Sequence, residues 1–150
     1  MKRLSVTLVG CASGLLIAGC SAAMPANLGV RDGRLAPCPA SPNCVSSQSA
    51  DEEHRMAALD LKGTPAEVMA RLKSIIGKMP RARIVSETET YLHVEFRSAM
   101  FRFVDDVEFF IDQKESVIHL RSAARTGHSD FGVNRNRMEQ ISAAWRTRPQ

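Results

Sequence analysis

The sequence predicts an α+β fold, a two-layer sandwich in which an antiparallel sheet of about five strands carries two helices on one face. Two observations lead to this prediction. Segments in which apolar and polar residues alternate follow one another through the second half of the chain, as half-buried strands do. Segments with apolar residues at helical spacing stand before and after them. The chain has 150 residues, 44% of them hydrophobic, which suits one domain and excludes wholesale disorder.

The chain begins with a segment that resembles a bacterial lipoprotein signal peptide. Two basic residues precede an apolar stretch, residues 4–18, that is too short to span a bilayer as a helix. Residues 17–20 read Ile-Ala-Gly-Cys, which has the form of a lipobox. The resemblance implies removal of residues 1–19 and acylation of Cys20, whose several acyl chains would anchor the protein stably in a membrane. An ordinary secretory signal that contains a cysteine is the alternative.

This segment predicts a location in the bacterial cell envelope, lipid-anchored and facing the periplasm. Ser21 follows the lipidated cysteine, which by resemblance to enterobacterial sorting favours the outer membrane. The formal net charge of +4 falls to +2 when Lys2 and Arg3 are removed, so the reason to expect a nucleic-acid partner fades. We therefore expect the membrane as a partner through the lipid anchor, and no nucleic acid.

Residues 20–36 are predicted to form a tether, and residues 37–150 a single domain. The domain opens on a stretch of prolines and cysteines that excludes a helix or a central strand. Cys38 and Cys44 are the thiols that remain once the first two cysteines are removed or acylated. In an oxidising compartment they most simply form a disulfide. A redox pair, a reactive cysteine and, more weakly, zinc binding are the alternatives.

The elements follow from periodicity and capping signals. The pattern predicts a strand at 56–61, a helix at 65–78, strands at 82–87, 91–97, 101–111 and 117–123, and a helix at 131–146. Thr64 and Glu67 form a capping box at the start of the first helix. Ser129 or Asp130 is expected to cap the second helix. The element order is then β-α-β-β-β-β-α.

The alternation gathers polar side chains on the face of the sheet that the helices leave open. They are Tyr91, His93, Glu95, Arg97, Arg102, Asp106, Glu108, His119 and Arg121. A plain hairpin register sets His93 near Asp106 and Glu108 near Arg121. The face is either a solvated, charge-balanced surface or a concave surface that holds a ligand. A metal held by His93 and His119 is disfavoured, because their strands are next-nearest neighbours about 9–10 Å apart. No metal site and no cofactor are predicted.

Asp105 breaks the alternation, because it lies on the apolar side of a phenylalanine-rich strand. An unpaired buried carboxylate is costly in free energy, so the sequence predicts a compensating feature. A bulge at Asp105-Asp106 would supply one. A cationic partner, Arg125 or Arg135, or the N–H groups at the start of the second helix would supply another.

Residues 121–135 combine arginine, glycine, histidine and aspartate at the start of the second helix. The segment suits an anion at a helix N-terminus, and it equally suits a plain turn and cap. With the cysteine loop and the acidic pair it completes a set of candidate ligand-binding residues. They are Ser46, Gln48, Asp105, Asp106, Arg121, Arg125, His128, Asp130, Asn134 and Arg135.

Three stretches together resemble one family, the domain of unknown function 1499 of bacteria and plastids. They are Cys-Pro-x-Ser-Pro-Asn-Cys-Val-Ser-Ser-Gln at 38–48, Phe-Val-Asp-Asp-Val-Glu-Phe at 103–109, and Arg-Ser-x-x-Arg-x-Gly-x-Ser-Asp-x-Gly-x-Asn-Arg at 121–135. The resemblance covers residues 34–145. It implies one small domain and brings no established activity or catalytic residues.

One hypothesis joins these motifs: the cysteine loop, the acidic pair and the helix start meet at one edge of the sheet. Residues 44–48 would then lie against Asp105, Arg125 and Asp130. We expect a lipid-anchored binding or scaffold module whose polar cluster is structural or holds a small anionic ligand, with an envelope protein as another possible partner. The alternative is a small periplasmic hydrolase or transferase that pairs Asp105 or Asp106 with His128 or His54 as acid and base.

Overall fold

The computed structural model describes residues 22–147, so the predicted signal peptide and Cys20 lie outside the described residues. The described chain forms six strands and two helices. In order they are β1 (Cys44–Ser46), β2 (Leu59–Asp60), α1 (Pro65–Ile76), β3 (Ala82–Glu87), β4 (Tyr91–Arg97), β5 (Val104–Asp112), β6 (Val117–Ala124) and α2 (Val133–Arg146). The predicted α+β class and the antiparallel sheet are therefore confirmed.

The sheet runs β1-β6-β5-β4-β3, and β2 also pairs with β6. The short strands β1 and β2 divide β6 between them, with Cys44 opposite Ala123 and Leu59 opposite Ile118. The expected order lacked β1, because the prolines before it hide a strand only three residues long. An edge position permits such a strand directly after proline-rich backbone.

Helix α1 begins as its sequence indicates. The Thr64 side chain accepts a hydrogen bond from the Glu67 N–H, and the Glu67 carboxylate accepts one from the Thr64 N–H. Both bonds satisfy N–H groups that an uncapped helix would leave unpaired. The helix ends at Ile76, two residues before the predicted end, with Gly77 as its C-cap.

Helix α2 and strand β5 each begin later than the sequence predicts. Phe131 and Gly132 both have positive φ, so the helix cannot extend back through them and begins at Val133. The N-cap is Gly132, without a side-chain cap, so the expectation that Ser129 or Asp130 caps this helix is wrong. The Asp130 carboxylate instead accepts hydrogen bonds from the N–H groups of Gly132 and Asn134. Arg102 likewise has positive φ, and β5 begins at Val104. Phe101, expected in this strand and on its core side, is exposed.

One apolar cluster joins both helices to one face of the sheet. Leu92 and Val94 of β4 belong to it with Val107 and Phe109 of β5. The helices contribute Val68, Leu72, Ile76, Met138, Ile141 and Trp145. Because side chains alternate along a strand, the residues between these apolar positions lie on the opposite face of the sheet. That face carries the polar side chains.

Candidate functional site

Most polar side chains of this second face are buried, although the sequence left the face open to solvent. Tyr91 and Arg97 are half-buried, and Arg102 is exposed. Glu95, Asp106 and Glu108 expose 2%, 1% and 0% of their surface. Burying a carboxylate is expensive unless it is paired and hydrogen-bonded, so each needs cationic or N–H partners. The structure supplies them through a polar-face network formed by these three acids with Tyr91, His93, Arg121 and Arg125.

Arg125 is the centre of the network. Its Nε lies 2.8 Å from Asp106 Oδ2, and its Nη2 lies 2.7 Å from Asp106 Oδ1, which is a bidentate pair. The same Nη2 donates to Glu95 Oε1 at 2.6 Å, so one guanidinium joins acids on two neighbouring strands. His93 Nε2 lies 2.7 Å from Asp106 Oδ1 and completes the group around that carboxylate.

Glu108 holds the second half of the network. Its Oε1 accepts hydrogen bonds from the Tyr91 hydroxyl and the Gly29 N–H, both at 2.8 Å. Its Oε2 lies 3.1 Å from Arg121 Nη1. The contacts His93–Asp106 and Glu108–Arg121 are the two that the sequence predicts. Glu108 lies directly opposite Arg121, whereas His93 lies opposite Glu108 and reaches Asp106 diagonally, two positions along β5.

Burial and pairing compete for the pKa values of these groups. Burial raises the pKa of Asp106, but hydrogen bonds from Arg125 and His93 outweigh it, and the pKa falls below its usual value. Burial likewise acts against ionisation of Glu95, whose pKa is nevertheless lowered by Arg83 and Arg125. Both carboxyls are thus held as carboxylates. Burial and the neighbouring Glu108 raise the pKa of Tyr91, which keeps its hydroxyl protonated as a donor.

Residues from the predicted tether cover part of this network. The Gly29 N–H reaches Glu108, and the Ala22 carbonyl accepts a hydrogen bond from Arg125 Nη1 at 3.3 Å. Leu35 is buried, and its N–H donates to Gln48 Oε1 at 2.8 Å. The segment expected to hang free before residue 37 therefore contacts the domain, because its backbone groups satisfy buried charges that side chains alone do not.

Asp105 is paired on the opposite, core side of β5. Arg137 Nη2 lies 2.6 Å from Asp105 Oδ2, and the guanidinium stacks 4.6 Å above the Phe96 ring. The expected partners, Arg125 and Arg135, are wrong: Arg125 binds Asp106, and Arg135 donates to backbone carbonyls that include that of Arg55. No bulge occurs at the acidic pair, since β5 keeps regular register with β4 and β6. Burial raises the pKa of Asp105 despite Arg137.

Asn134 joins the cysteine loop to the start of α2. It is 1% exposed, and its Nδ2 donates to the Asn43 carbonyl at 3.2 Å and to Asp130 Oδ2 at 2.8 Å. Its Oδ1 is hydrogen-bonded to the Ser122 hydroxyl on β6. Asn43 also donates to the Gly127 carbonyl. In this second cluster the side-chain amide of Asn134 uses both of its polar atoms to connect the cysteine loop, β6 and the start of α2.

Cys38 and Cys44 form a disulfide with a Cα–Cα distance of 5.6 Å. The bond closes the proline-rich loop that leads into β1, and Cys44 is buried. The predicted disulfide is confirmed. It fixes the loop in the place where Asn43 meets α2.

A cleft of about 700 Å³ lies beside this loop, and we call it the N-terminal cleft. Its walls come from residues between Asn27 and Ala40 and between Ser46 and His54. Arg31 and Arg34 stand on one wall, where their N–H and carbonyl groups exchange hydrogen bonds of 2.9 and 3.0 Å across a tight turn. Both arginines line the cleft, where Arg31 Nη2 donates to the Ala26 carbonyl and Arg34 Nη2 to the Gln48 carbonyl.

His54 and Asp51 form the other charged pair of the cleft. His54 Nδ1 lies 2.8 Å from Asp51 Oδ2, and its Nε2 lies 3.1 Å from the Ser41 carbonyl. Both partners are acceptors, so the doubly protonated ring satisfies both contacts. Burial acts to lower the pKa of His54, but the Ser41 carbonyl and the Asp51 carboxylate outweigh it and the pKa is raised. The Glu53 N–H and His54 lower the pKa of Asp51.

The ten candidate residues are distributed over separate places. Ser46 and Gln48 line the N-terminal cleft, while His128 is exposed. The polar-face network contains Asp106, Arg121 and Arg125. The core side of the sheet holds Asp105, Asp130 and Asn134. Arg135 lies on the surface of α2. Asp105 and Asp106 point to opposite faces, so one shared cluster does not form.

Several residues of these clusters were not predicted from the sequence. Among them are Arg137, Asn43 and the two cleft arginines, Arg31 and Arg34. Arg137 stands four and eight residues before Ile141 and Trp145, on the apolar stripe of α2. A charged residue within such a stripe is a detectable signal of a buried partner. Arg31 and Arg34 carry no such signal, because they precede the first periodic segment of the sequence.

Together the fold and these clusters define a small α+β domain that opens on a disulfide-closed loop and encloses charged groups on one face of its sheet. The chain matches the model of the family described as Protein of unknown function (DUF1499) over residues 34–145, and it belongs to that family. The resemblance of the three motifs is thereby confirmed. A comparison with curated proteins found no match. Within residues 22–147, no helix combines the length and apolar character that crossing a membrane requires.

Proposed function

We propose that this protein is a lipid-anchored binding module of the bacterial cell envelope that holds a small anionic ligand in the N-terminal cleft. The location rests on the lipobox that ends at Cys20 and on the Cys38–Cys44 disulfide, which suits an oxidising compartment. The periplasmic side, and the outer membrane in particular, are part of the same proposal. The two-layer arrangement that it presupposes is supported by the shared apolar cluster of both helices.

The observation that carries the binding proposal is the pair Arg31 and Arg34 at a cleft of about 700 Å³. Sites for small molecules usually enclose about 300–1,000 Å³ and hold a few convergent polar groups. A guanidinium has five N–H donors in a planar fork that matches carboxylate and phosphate oxygens. The Nη2 of Arg31 donates to the Ala26 carbonyl, and the Nη2 of Arg34 donates to the Gln48 carbonyl. Each bond orients its arginine side chain.

The remaining charges of the cleft favour an anion. When His54 is protonated, it neutralises Asp51, and the pair then carries no net charge. Arg31 and Arg34 then leave the cleft positive. The acids of the sheet cannot oppose an anionic ligand, because Glu95, Asp106 and Glu108 are buried and paired within the polar-face network.

The alternative of a hydrolase or transferase receives no support from the geometry. It requires Asp105 or Asp106 beside His128 or His54, whereas Asp106 is bound by His93 and Arg125, and Asp105 by Arg137. Both ring nitrogens of His54 are directed at Asp51 and at the Ser41 carbonyl, so neither is directed at a substrate position beside Asp105 or Asp106.

A thermal-shift and calorimetry screen of the full chain tests the proposal. The probes are inorganic phosphate, small mono- and dicarboxylates, and a neutral sugar as reference. We expect one anionic class to stabilise the protein, by about 2.7 kcal/mol at a concentration one hundred times its Kd. The double variant Arg31→Gln/Arg34→Gln should lose this shift.

The matched control is Arg146→Gln, which removes one exposed arginine at the end of α2. This variant should keep the wild-type response. Stabilisation that survives in the double variant would place the anion elsewhere, and a chain that responds to none of the anions would refute the binding proposal.

A further inference from the structure

At the turn between β5 and β6 three potential metal ligands converge, outside every cluster described so far. They are Asp112, Glu115 and His119, each with one ligand atom within 4.8 Å of the others. His119 Nε2 lies 3.3 Å from Glu115 Oε2 and 4.0 Å from Asp112 Oδ2. Neither approach is a hydrogen bond, and Nε2 is a buried nitrogen without a hydrogen-bond partner in the described chain.

The burial of His119 makes this arrangement more than an acidic turn. The residue is 7% exposed, and its ring stacks on Phe110 with centroids 6.1 Å apart. A buried polar nitrogen without a partner costs free energy, about 1–3 kcal/mol for an ordinary group. Its direction toward two carboxylate oxygens indicates that a cation belongs between them.

The other ring nitrogen is held as a metal-bound histidine requires. His119 Nδ1 lies 3.2 Å from the Ser47 hydroxyl, whose oxygen also accepts the Leu120 N–H at 2.9 Å. When Nδ1–H donates to this hydroxyl, Nε2 keeps its lone pair for a ligand. Histidines that bind metals almost always donate their second nitrogen in this manner.

The turn also fixes one of the carboxylates. Asp112 Oδ1 accepts hydrogen bonds from the N–H groups of Lys114 and Glu115, at 2.8 and 3.1 Å. Its Oδ2 remains directed toward His119. The Glu115 side chain is 67% exposed, so its carboxylate can adjust to a metal at low cost.

We propose that Asp112, Glu115 and His119 bind a divalent first-row transition metal, with Zn²⁺ as its probe. Imidazole nitrogen suits zinc and its neighbours, and carboxylates complete the set. Metal–ligand bonds of about 2.0–2.2 Å place the ligand atoms of a tetrahedral site about 3.4 Å apart, which small rotations of the two carboxylates achieve here. Water would complete the coordination. This site is independent of the anion proposed for the N-terminal cleft.

The test measures Zn²⁺ binding to the full chain by calorimetry and by thermal shift. Co²⁺ serves as a spectroscopic substitute for Zn²⁺. We expect one equivalent of Zn²⁺ to bind and to raise the melting temperature, and Co²⁺ to give visible absorption. Glu115→Gln, an exposed change that leaves folding intact, should weaken binding at least about tenfold. His119→Gln should abolish the Co²⁺ absorption.

Glu139→Gln, which removes an exposed carboxylate of α2, is the control and should bind as the wild type does. Equal binding by wild type and Glu115→Gln would overturn the proposal. So would the absence of saturable Zn²⁺ binding, which would leave His119 as one member of an internal ion pair. A response to Mg²⁺ and Ca²⁺ alone would also overturn it, because those ions do not use imidazole.

Discussion

At the scale of single residues, Arg125 contributes most to the buried polar face. Its side chain is almost fully buried and pairs with the buried carboxylates of Glu95 and Asp106. A buried ion pair adds little net stability compared with an apolar replacement, but removing one partner leaves an uncompensated charge. The consequence of losing this residue is therefore much larger than the worth of any one of its bonds.

We predict that Arg125→Met lowers the free energy of unfolding by about 3–5 kcal/mol, since Asp106 and Glu95 stay buried without their shared cation. Urea denaturation measures the change. Arg83→Gln is the matched control, because Arg83 binds the same Glu95 from a side chain that is 61% exposed. Its loss should cost about 1 kcal/mol or less. Similar losses for the two variants would contradict the central role of Arg125.

His54 makes the stability of the folded protein depend on pH. Its pKa is raised in the folded protein, so the stabilisation is fully present below the unfolded value of about 6.5 and is lost as pH rises through the folded pKa. We predict that the wild type loses stability relative to His54→Gln as pH rises from about 6.5 into the alkaline range. Unfolding free energies of both proteins across that range test this. A wild type that gains stability relative to the variant would show that His54 is neutral.

At the scale of elements, the segment from residue 22 to residue 36 acts as part of the domain. It has no strand or helix beyond an isolated bridge between Arg31 and Arg34, yet it supplies an N–H to Glu108 and a carbonyl to Arg125. Main-chain groups of this kind leave no pattern in a sequence, because every residue type except proline offers both. Periodicity therefore could not distinguish this covering segment from a tether.

Tyr91 can report whether the segment covers the sheet, since the chain has a single tyrosine. Burial and the nearby Glu108 raise its pKa, so the phenol should resist ionisation in the folded wild type. We predict that deleting residues 22–30 lowers this pKa toward its ordinary value of about 10, as read by tyrosinate absorbance.

Glu108→Gln in the full chain is the control for that deletion, because it removes the neighbouring charge and keeps the cover. Its effect on the Tyr91 pKa should be the smaller one, since burial is the larger cause of the shift. An unchanged titration in the deletion variant would show that the phenol is shielded by the strands alone.

At the scale of the whole molecule, the sequence predicts the class, both helices and the pairs across the sheet. Alternation and a short turn set the Glu108–Arg121 pair, whereas His93 lies opposite Glu108 and reaches Asp106 diagonally on the same face. The partner of Asp105 could not be obtained in this way, because Arg137 reaches it from α2 across the core. The N-terminal cleft could not be predicted either, since nearly all of its wall residues lie in segments without regular structure.

The proposed anchor is also a property of the whole molecule. We predict that Cys20→Ala removes the protein from the membrane fraction, because acyl chains on that cysteine would supply the attachment. Fractionation and labelling with a radioactive fatty acid test this. Cys11→Ala changes a cysteine inside the predicted signal and should remain membrane-bound and labelled. Labelling that persists in Cys20→Ala would refute the anchor at this position.

The adjacent acids Asp105 and Asp106 make the stability of the sheet depend on the register of β5. Each is neutralised by a different arginine on a different face, Asp105 by Arg137 and Asp106 by Arg125. If β5 slipped by one residue, the apolar side chains of the core would turn toward the buried charges, and the ion pairs would separate. Misaligned chains would then carry unpaired charges in a dry interior. We therefore expect the network to favour one strand alignment during folding, because the alternatives leave these charges unpaired.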